Sequence, residues 1–184
     1  MKRLLNDEWE YLKMPVGSNL DDAGKSSAWE GVDLPHDWLI WQSDDLYESA
    51  DAWYRRKLFF DSGIPETCLL HFDGVYMNSE VFLNGELICS HAYGYTAFYA
   101  DLSGKIRNGE NEIHVHIRHE SPNSRWYSGS GIFRDVHLLE YDGNHIVPDS
   151  FYLTERETEN GWYLKVEAET HKPDQGLFLY EIVD

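Results

Sequence analysis

Positive charge is scarce in this 184-residue chain: 15 Lys and Arg stand against 33 Asp and Glu, for a formal net charge of −18 and a pI near 4.7. A field of that sign repels DNA, RNA and anionic membranes at long range, so neither nucleic acid nor a membrane surface is the expected partner. Cysteine is scarcer still. Cys68 and Cys89 sit in apolar, strand-like runs without metal or redox spacing, and read as reduced core thiols. No hydrophobic run approaches membrane-spanning length. The N-terminal MKRLLNDEWEYLK meets Asn6-Asp7-Glu8 before a secretory signal could build its apolar core, which gives a cytoplasmic expectation. A helical period of useful length is missing as well.

Apolar residues make up 42% of the chain and aromatics 15%, enough for one well-buried domain and a remainder. Met1 to Gly31 reads as a wrapping arm, with Asp21-Asp22-Ala23-Gly24 as a loop, that ends in a short strand. From Ala52 the strand signal is dense: AWYRRKLFF, TCLLHF, SEVFL, ELIC, EIHVHIRH and Ile132 to Tyr141. Asn84-Gly85 between two such runs is a hairpin signal, because both turn residues must accept positive φ. Seven or eight short strands broken by turns predict an all-β, antiparallel sandwich. The texture changes after Gly143-Asn144, which places a first domain over 1–144 and a second over 145–184. Phe151 to Arg156, Trp162 to Thr170 and Gly176 to Val183 are its strands, too few to close a sandwich alone.

Several clusters invite chemistry. Pro35, His36, Asp37 and Trp38 put an imidazole beside a carboxylate, but neighbours on an extended segment face opposite ways, so a structural polar corner is the reading taken. Asp44, Asp45, Glu48 and Asp51 bring oxygens for a hard cation in no EF-hand spacing, and read as a solvated acidic rim. His114 and His116 share one face of a period-two run. A metal there is weighed against a half-solvated strand, and the strand is favoured. Ser128 to Gly131, behind Trp126 and Tyr127, opens three options: a phosphate cradle, a sugar-stacking loop or a turn. No helix follows Gly131 to offer an N-terminus, so the cradle falls away, and Ile132 to Val136 is expected to be core strand.

LPHDW at 34–38, WYRR at 53–56, FDGVYMNSEVFLNG at 72–85, HAYGYTAF at 91–98, GENEIHVHI at 109–117 and RWYSGSGIFRDV at 125–136 occur in one order. Together they resemble the N-terminal sugar-binding domain of glycoside hydrolase family 2, the family of β-galactosidases, β-glucuronidases and β-mannosidases. The resemblance implies a galactose-binding-like jelly roll followed by the first strands of an immunoglobulin-like domain. It implies a retaining β-glycosidase, β-galactosidase favoured, whose two catalytic glutamates lie in a TIM barrel absent from this sequence. The chain is then scaffold and active-site rim, with no catalytic residue, metal or cofactor of its own. Magnesium or sodium would belong to the parent enzyme. Family members place a carboxylate shortly before Gly-Ile-Phe-Arg; here Asn123, Ser124, Arg125 and Trp126 precede Gly131, so Asn123 or Arg125 would stand in for it, with Trp126 beside them. Asp51, ahead of WYRR, is the further substrate-proximal candidate. The expected partners are a β-galactoside-like carbohydrate in the full-length enzyme and a second copy of the chain through the incomplete second domain. An autonomous carbohydrate-binding module, stacking sugar on Trp126, Tyr127, Tyr93 and Tyr95, is the alternative.

Overall fold

The computed structural model describes residues 1–41, 45, 47–61, 63–122 and 129–172. Its strands are β1 (Lys2–Leu4), β2 (Trp9–Met14), β3 (Glu30–Val32), β4 (Ala50–Phe60), β5 (Thr67–Phe72), β6 (Ser79–Leu83), β7 (Glu86–His91), β8 (Phe98–Asp101), β9 (Gly109–His119), β10 (Val136–Tyr141), β11 (Tyr152–Thr158) and β12 (Gly161–Glu167). Two short helices, α1 (Leu20–Lys25) and α2 (Trp38–Trp41), interrupt them. The chain divides into units Met1–Glu140 and Tyr141–Asp184.

The first unit is a sandwich of a six-stranded sheet, ordered β3-β2-β4-β9-β6-β7, and a four-stranded sheet, ordered β1-β10-β5-β8. The antiparallel β4–β9 pair runs from Ala50↔His119 to Phe60↔Gly109 and forms the spine of the larger sheet. Alternation sends Ala52, Tyr54 and Leu58 of β4, and Ile113, Val115 and Ile117 of β9, into the space between the sheets. There they meet Leu70 and Phe72 of β5 and Val136 and Leu138 of β10. Each large apolar side chain so buried stabilises the fold by roughly 1.5–3 kcal/mol. Asn84 and Gly85 turn β6 into β7 at φ 51° and 87°, as their sequence requires.

Three expectations need correction. The N-terminal arm supplies three strands, two of them in the larger sheet, with α1 between β2 and β3. α1 is read from sequence as a loop because Gly24 and its acids hide it. Its start is marked all the same, by a capping box in which Asn19 Oδ1 accepts from Asp22 N and Asp22 answers at Asn19 N. The outer face of β9 is also less solvated than expected, although Arg118 reaches the surface. His114 and His116 are buried, His114 edge-on to Trp29 and His116 stacked on Trp53, two members of a second apolar group with Leu12, Ala23 and Leu20. Finally, strand pairing begins at Val136 rather than Ile132, although Ile132 is fully buried and Gly131 bridges Tyr76.

The second unit contributes the antiparallel hairpin β11–β12, registered from Tyr152↔Glu167 to Thr158↔Gly161. Tyr152, Leu153, Trp162, Tyr163 and Leu164 of this hairpin, and Phe151 just before it, are exposed. The expected strand Gly176 to Val183 lies outside the described residues.

Candidate functional site

The outer face of the six-stranded sheet carries a polar groove of about 480 Å³, lined by residues of β6, β7 and β9 that include Glu80, Ser90, His91, His116 and Arg118. Strand register builds it: Asp51 lies opposite Arg118, Trp53 opposite His116, and His116 opposite Glu80. Asp51 sits beneath the groove with no exposed surface. One of its oxygens accepts from Arg118 Nε at 2.9 Å; the other accepts from Arg118 Nη2 at 3.2 Å, Gly17 N at 2.7 Å and Ser18 N at 3.0 Å. Burial pushes the Asp51 carboxyl up, but the Arg118 hydrogen bonds, the Gly17 amide and the charges of His116 and Arg118 outweigh it and hold the group below the usual carboxylate range. His116 stacks on Trp53 at 4.5 Å, with Nδ1 3.2 Å from Glu80 and Nε2 3.4 Å from Asp51. The result is a carboxylate–imidazole–carboxylate row ending at a guanidinium.

The loop between β9 and β10 is clamped at both ends. Ser121 and Ser49 exchange hydrogen bonds, Ser121 N to Ser49 Oγ at 2.9 Å and Ser49 Oγ to Ser121 O at 3.1 Å. His119 Nδ1 donates to Glu48 O at 2.7 Å. At the far end the corner 35–38 does the holding: His36 N donates to Ile132 O at 2.8 Å and Trp38 N to Ser130 O at 3.1 Å. Asp37 Oδ1 accepts from Leu39 N and starts α2. His36 Nδ1 and the buried Tyr54 hydroxyl share a 2.7 Å hydrogen bond, so the imidazole is engaged across the core.

Burial lowers the His36 pKa, against an upward pull from Asp37 and Glu30. The unfolded imidazole takes its proton near pH 6.5, before the folded one does, so the His36 contribution is present above about pH 6.5 and is lost as pH falls through the folded value. His36→Gln is therefore expected to lower the urea midpoint more at about pH 7.5 than at about pH 5.5, where the native protein has lost part of this contribution. Equal shifts at the two pH values would remove His36 from the pH response.

The structure separates the sequence candidates. Asp51 is not part of a solvated rim, because it is the outward-facing residue of β4 and the Gly17-Ser18 loop closes over it. Its carboxylate offers no free surface to a sugar and instead positions Arg118 in the groove wall. Glu48 pairs with Lys13 at 2.7 Å, and Asp45 Oδ1 accepts from Tyr47 N at 3.0 Å. Asn123, Arg125, Trp126 and Tyr127, with Asp44, lie outside the described residues. Tyr93 is 56% exposed, and its ring meets Tyr95 edge-on at 5.8 Å. Sequence reasoning missed Glu80, Ser90 and His91 as groove residues. The alternation of His116 and Arg118 along β9 pointed to that face, and the pairing of β9 with β6 was what it lacked.

The family model described as glycosyl hydrolases family 2, sugar binding domain, matches residues 39–142. The β-galactosidase BoGH2A of Bacteroides ovatus is 36% identical over 166 residues, covering 81% of this chain and 19% of that protein. A β-glucuronidase of Bacteroides fragilis is 32% identical over 135 residues, covering 64% of this chain and 18% of that protein. The crystal structure of a glycosyl hydrolase family 2 member from Bacteroides cellulosilyticus superposes with a TM-score of 0.70 at 31% identity, covering 84% of this chain and 22% of that one. The chain thus spans less than a quarter of the length of the curated relatives it matches.

Proposed function

Because the chain belongs to glycoside hydrolase family 2, we propose that it is the non-catalytic N-terminal part of a retaining β-glycosidase, most suited to β-galactosides, and that its sandwich forms a wall of the active site. Such hydrolysis needs two carboxyl groups about 5–5.5 Å apart across the glycosidic bond. In this reading a TIM barrel outside the present sequence supplies them, and residues 145–184 begin an immunoglobulin-like domain between sandwich and barrel. The observation that carries the reading is that the described residues flanking 123–128 are both held to the sandwich, Ser121 by Ser49 and Ser130 by the Trp38 amide. In this reading the segment between those two ends carries the substrate-proximal residues Asn123, Arg125 and Trp126.

A neutral sugar suits the groove better than a uronate. Its guanidinium, Arg118, is held by both oxygens of Asp51, so pairing with a sugar carboxylate would compete with a buried bond already made. The chain is 36% identical to the B. ovatus β-galactosidase and 31–33% identical to relatives named β-glucuronidases, so relatives of both activities are similar to it. For the 184-residue chain the exposed β11–β12 hairpin supports pairing with a second copy, and the unpaired Cys68 and Cys89 support a reducing compartment such as the cytoplasm. Burial drives the Cys68 thiol up to about 12, consistent with an inert core residue.

The test is the full-length parent assayed on p-nitrophenyl β-galactoside and β-glucuronide. A kcat/KM ratio of about ten or more in favour of the galactoside is expected, and the opposite preference would make it a β-glucuronidase. The exposed Tyr93 favours a second reading, an autonomous carbohydrate-binding module. Galactose binding by the 184-residue chain alone, seen in calorimetry, would support that reading.

A further inference from the structure

His71 of β5 and His137 of β10 stand on neighbouring strands of the four-stranded sheet, and Asp73 follows the end of β5. Leu70 and Phe72 on one side, and Val136 and Leu138 on the other, point into the core, which leaves both histidines on the outer face. The hydrogen bond from Asp73 N to Asp135 O, 3.0 Å, fixes the two strands to each other two residues from each imidazole. The rings lie 6.1 Å apart at 29°, and Tyr99 of β8 stacks on the far side of His71 at 4.4 Å and 18°. His71 Nδ1 is 3.3 Å from Asp73 Oδ1. Arg134 meets Asp73 at its backbone carbonyl, 3.4 Å away.

One donor atom from each of His71, Asp73 and His137 lies within 4.8 Å of the other two. His137 Nδ1 is shut off from solvent and has no hydrogen-bond partner among the described residues, an arrangement that calls for a ligand. We propose that His71, Asp73 and His137 form a transition-metal site that takes Zn²⁺. Two imidazoles and one carboxylate are the donor set Zn²⁺ accepts, whereas Ca²⁺ and Mg²⁺ favour oxygen throughout. Donors around tetrahedral zinc, about 2.0–2.1 Å from the ion, lie about 3.4 Å from one another, so side-chain rotations of about an ångström close the shell and leave a position for water. The stacked Tyr99 and the Asp73–Asp135 bond hold the ligands in orientation, as outer contacts do at metal sites. A net charge of −18 raises the local concentration of divalent cations.

Isothermal titration of the 184-residue chain with ZnCl₂, and separately with MgCl₂ and CaCl₂, tests the site. One Zn²⁺ per chain and no measurable Mg²⁺ or Ca²⁺ are expected. His71→Gln and His137→Gln should each weaken Zn²⁺ binding by about 100-fold or more, and Asp73→Asn by about tenfold, with circular dichroism of the metal-free proteins unchanged. Asp73→Asn keeps the test valid if a histidine variant fails to fold. His171→Gln removes one member of the stacked His145–His171 pair in the second unit and should leave binding intact. Absence of Zn²⁺ uptake overturns the proposal. So does uptake that survives both His71→Gln and His137→Gln, or that disappears in His171→Gln.

Discussion

Gly131→Ala is expected to cost about 4 kcal/mol or more, a large share of the roughly 5–15 kcal/mol that keeps a domain folded. Gly131 sits at φ +118°, a conformation that L side chains rarely adopt. A Cβ there would lie 2.4 Å from the Tyr54 hydroxyl and 2.6 Å from the backbone oxygen of His36. Neither neighbour can yield. Tyr54 is fully buried and bonded to His36, while the 36–38 backbone is tied to Ser130 and Ile132. The paired bonds between Gly131 and Tyr76, 2.9 and 3.0 Å, would also be strained. Gly129→Ala is the control: it shares a positive φ of 85°, but a Cβ there would come no closer than 3.5 Å to the Asp37 carboxylate. It should cost only about 1–2 kcal/mol, the conformational part alone. Chemical denaturation of both variants decides the matter, and equal losses would show that close packing at Gly131 is not what the glycine serves.

Asp51→Ala is expected to cost about 3–4 kcal/mol. The substitution leaves the Gly17 and Ser18 amides without their acceptor and opens a void below the groove. The Arg118 side chain is 35% exposed and can recover water, so most of the loss falls on the two amides and on the loop they hold. Asp51→Ala combined with Arg118→Ala should cost less than the sum of the two single changes, since either change alone already removes the hydrogen bonds between the two side chains. Urea midpoints across the four proteins measure this. A loss below about 1 kcal/mol for Asp51→Ala would mean that the carboxylate is not the keystone of the groove. The same carboxyl ties stability to acid: its lowered folded value gives a contribution that is present above about pH 4 and is lost as pH falls through the folded value.

Sandwich strands were legible in sequence wherever period-two runs met strong turns. Asn84-Gly85 specified the β6–β7 hairpin, and Ile113, Val115 and Ile117 specified which face of β9 meets the core. The outer face was not legible, because what covers it comes from far away in the chain. Trp29 meets His114 edge-on at 6.2 Å, and Trp53 stacks on His116, across separations that no local pattern encodes. Asp51 shows the same limit. Its acidic neighbours in sequence suggested solvent, and only the pairing of β4 with β9 and the return of the Gly17-Ser18 loop make it a buried partner of Arg118. The corner at 35–38 was readable as structure from Pro35, whereas its partners, Ser130 and Ile132, lie nearly a hundred residues on.

The central claim is that this sandwich presents the loop between β9 and β10 to the substrate of a larger enzyme. The direct measurement is kcat/KM on p-nitrophenyl β-galactoside for the full-length parent carrying Arg125→Ala or Trp126→Ala, alongside its thermal midpoint. The account predicts a fall of about tenfold or more with the midpoint moved by no more than about 2 °C. Unchanged kcat/KM in both variants would contradict it.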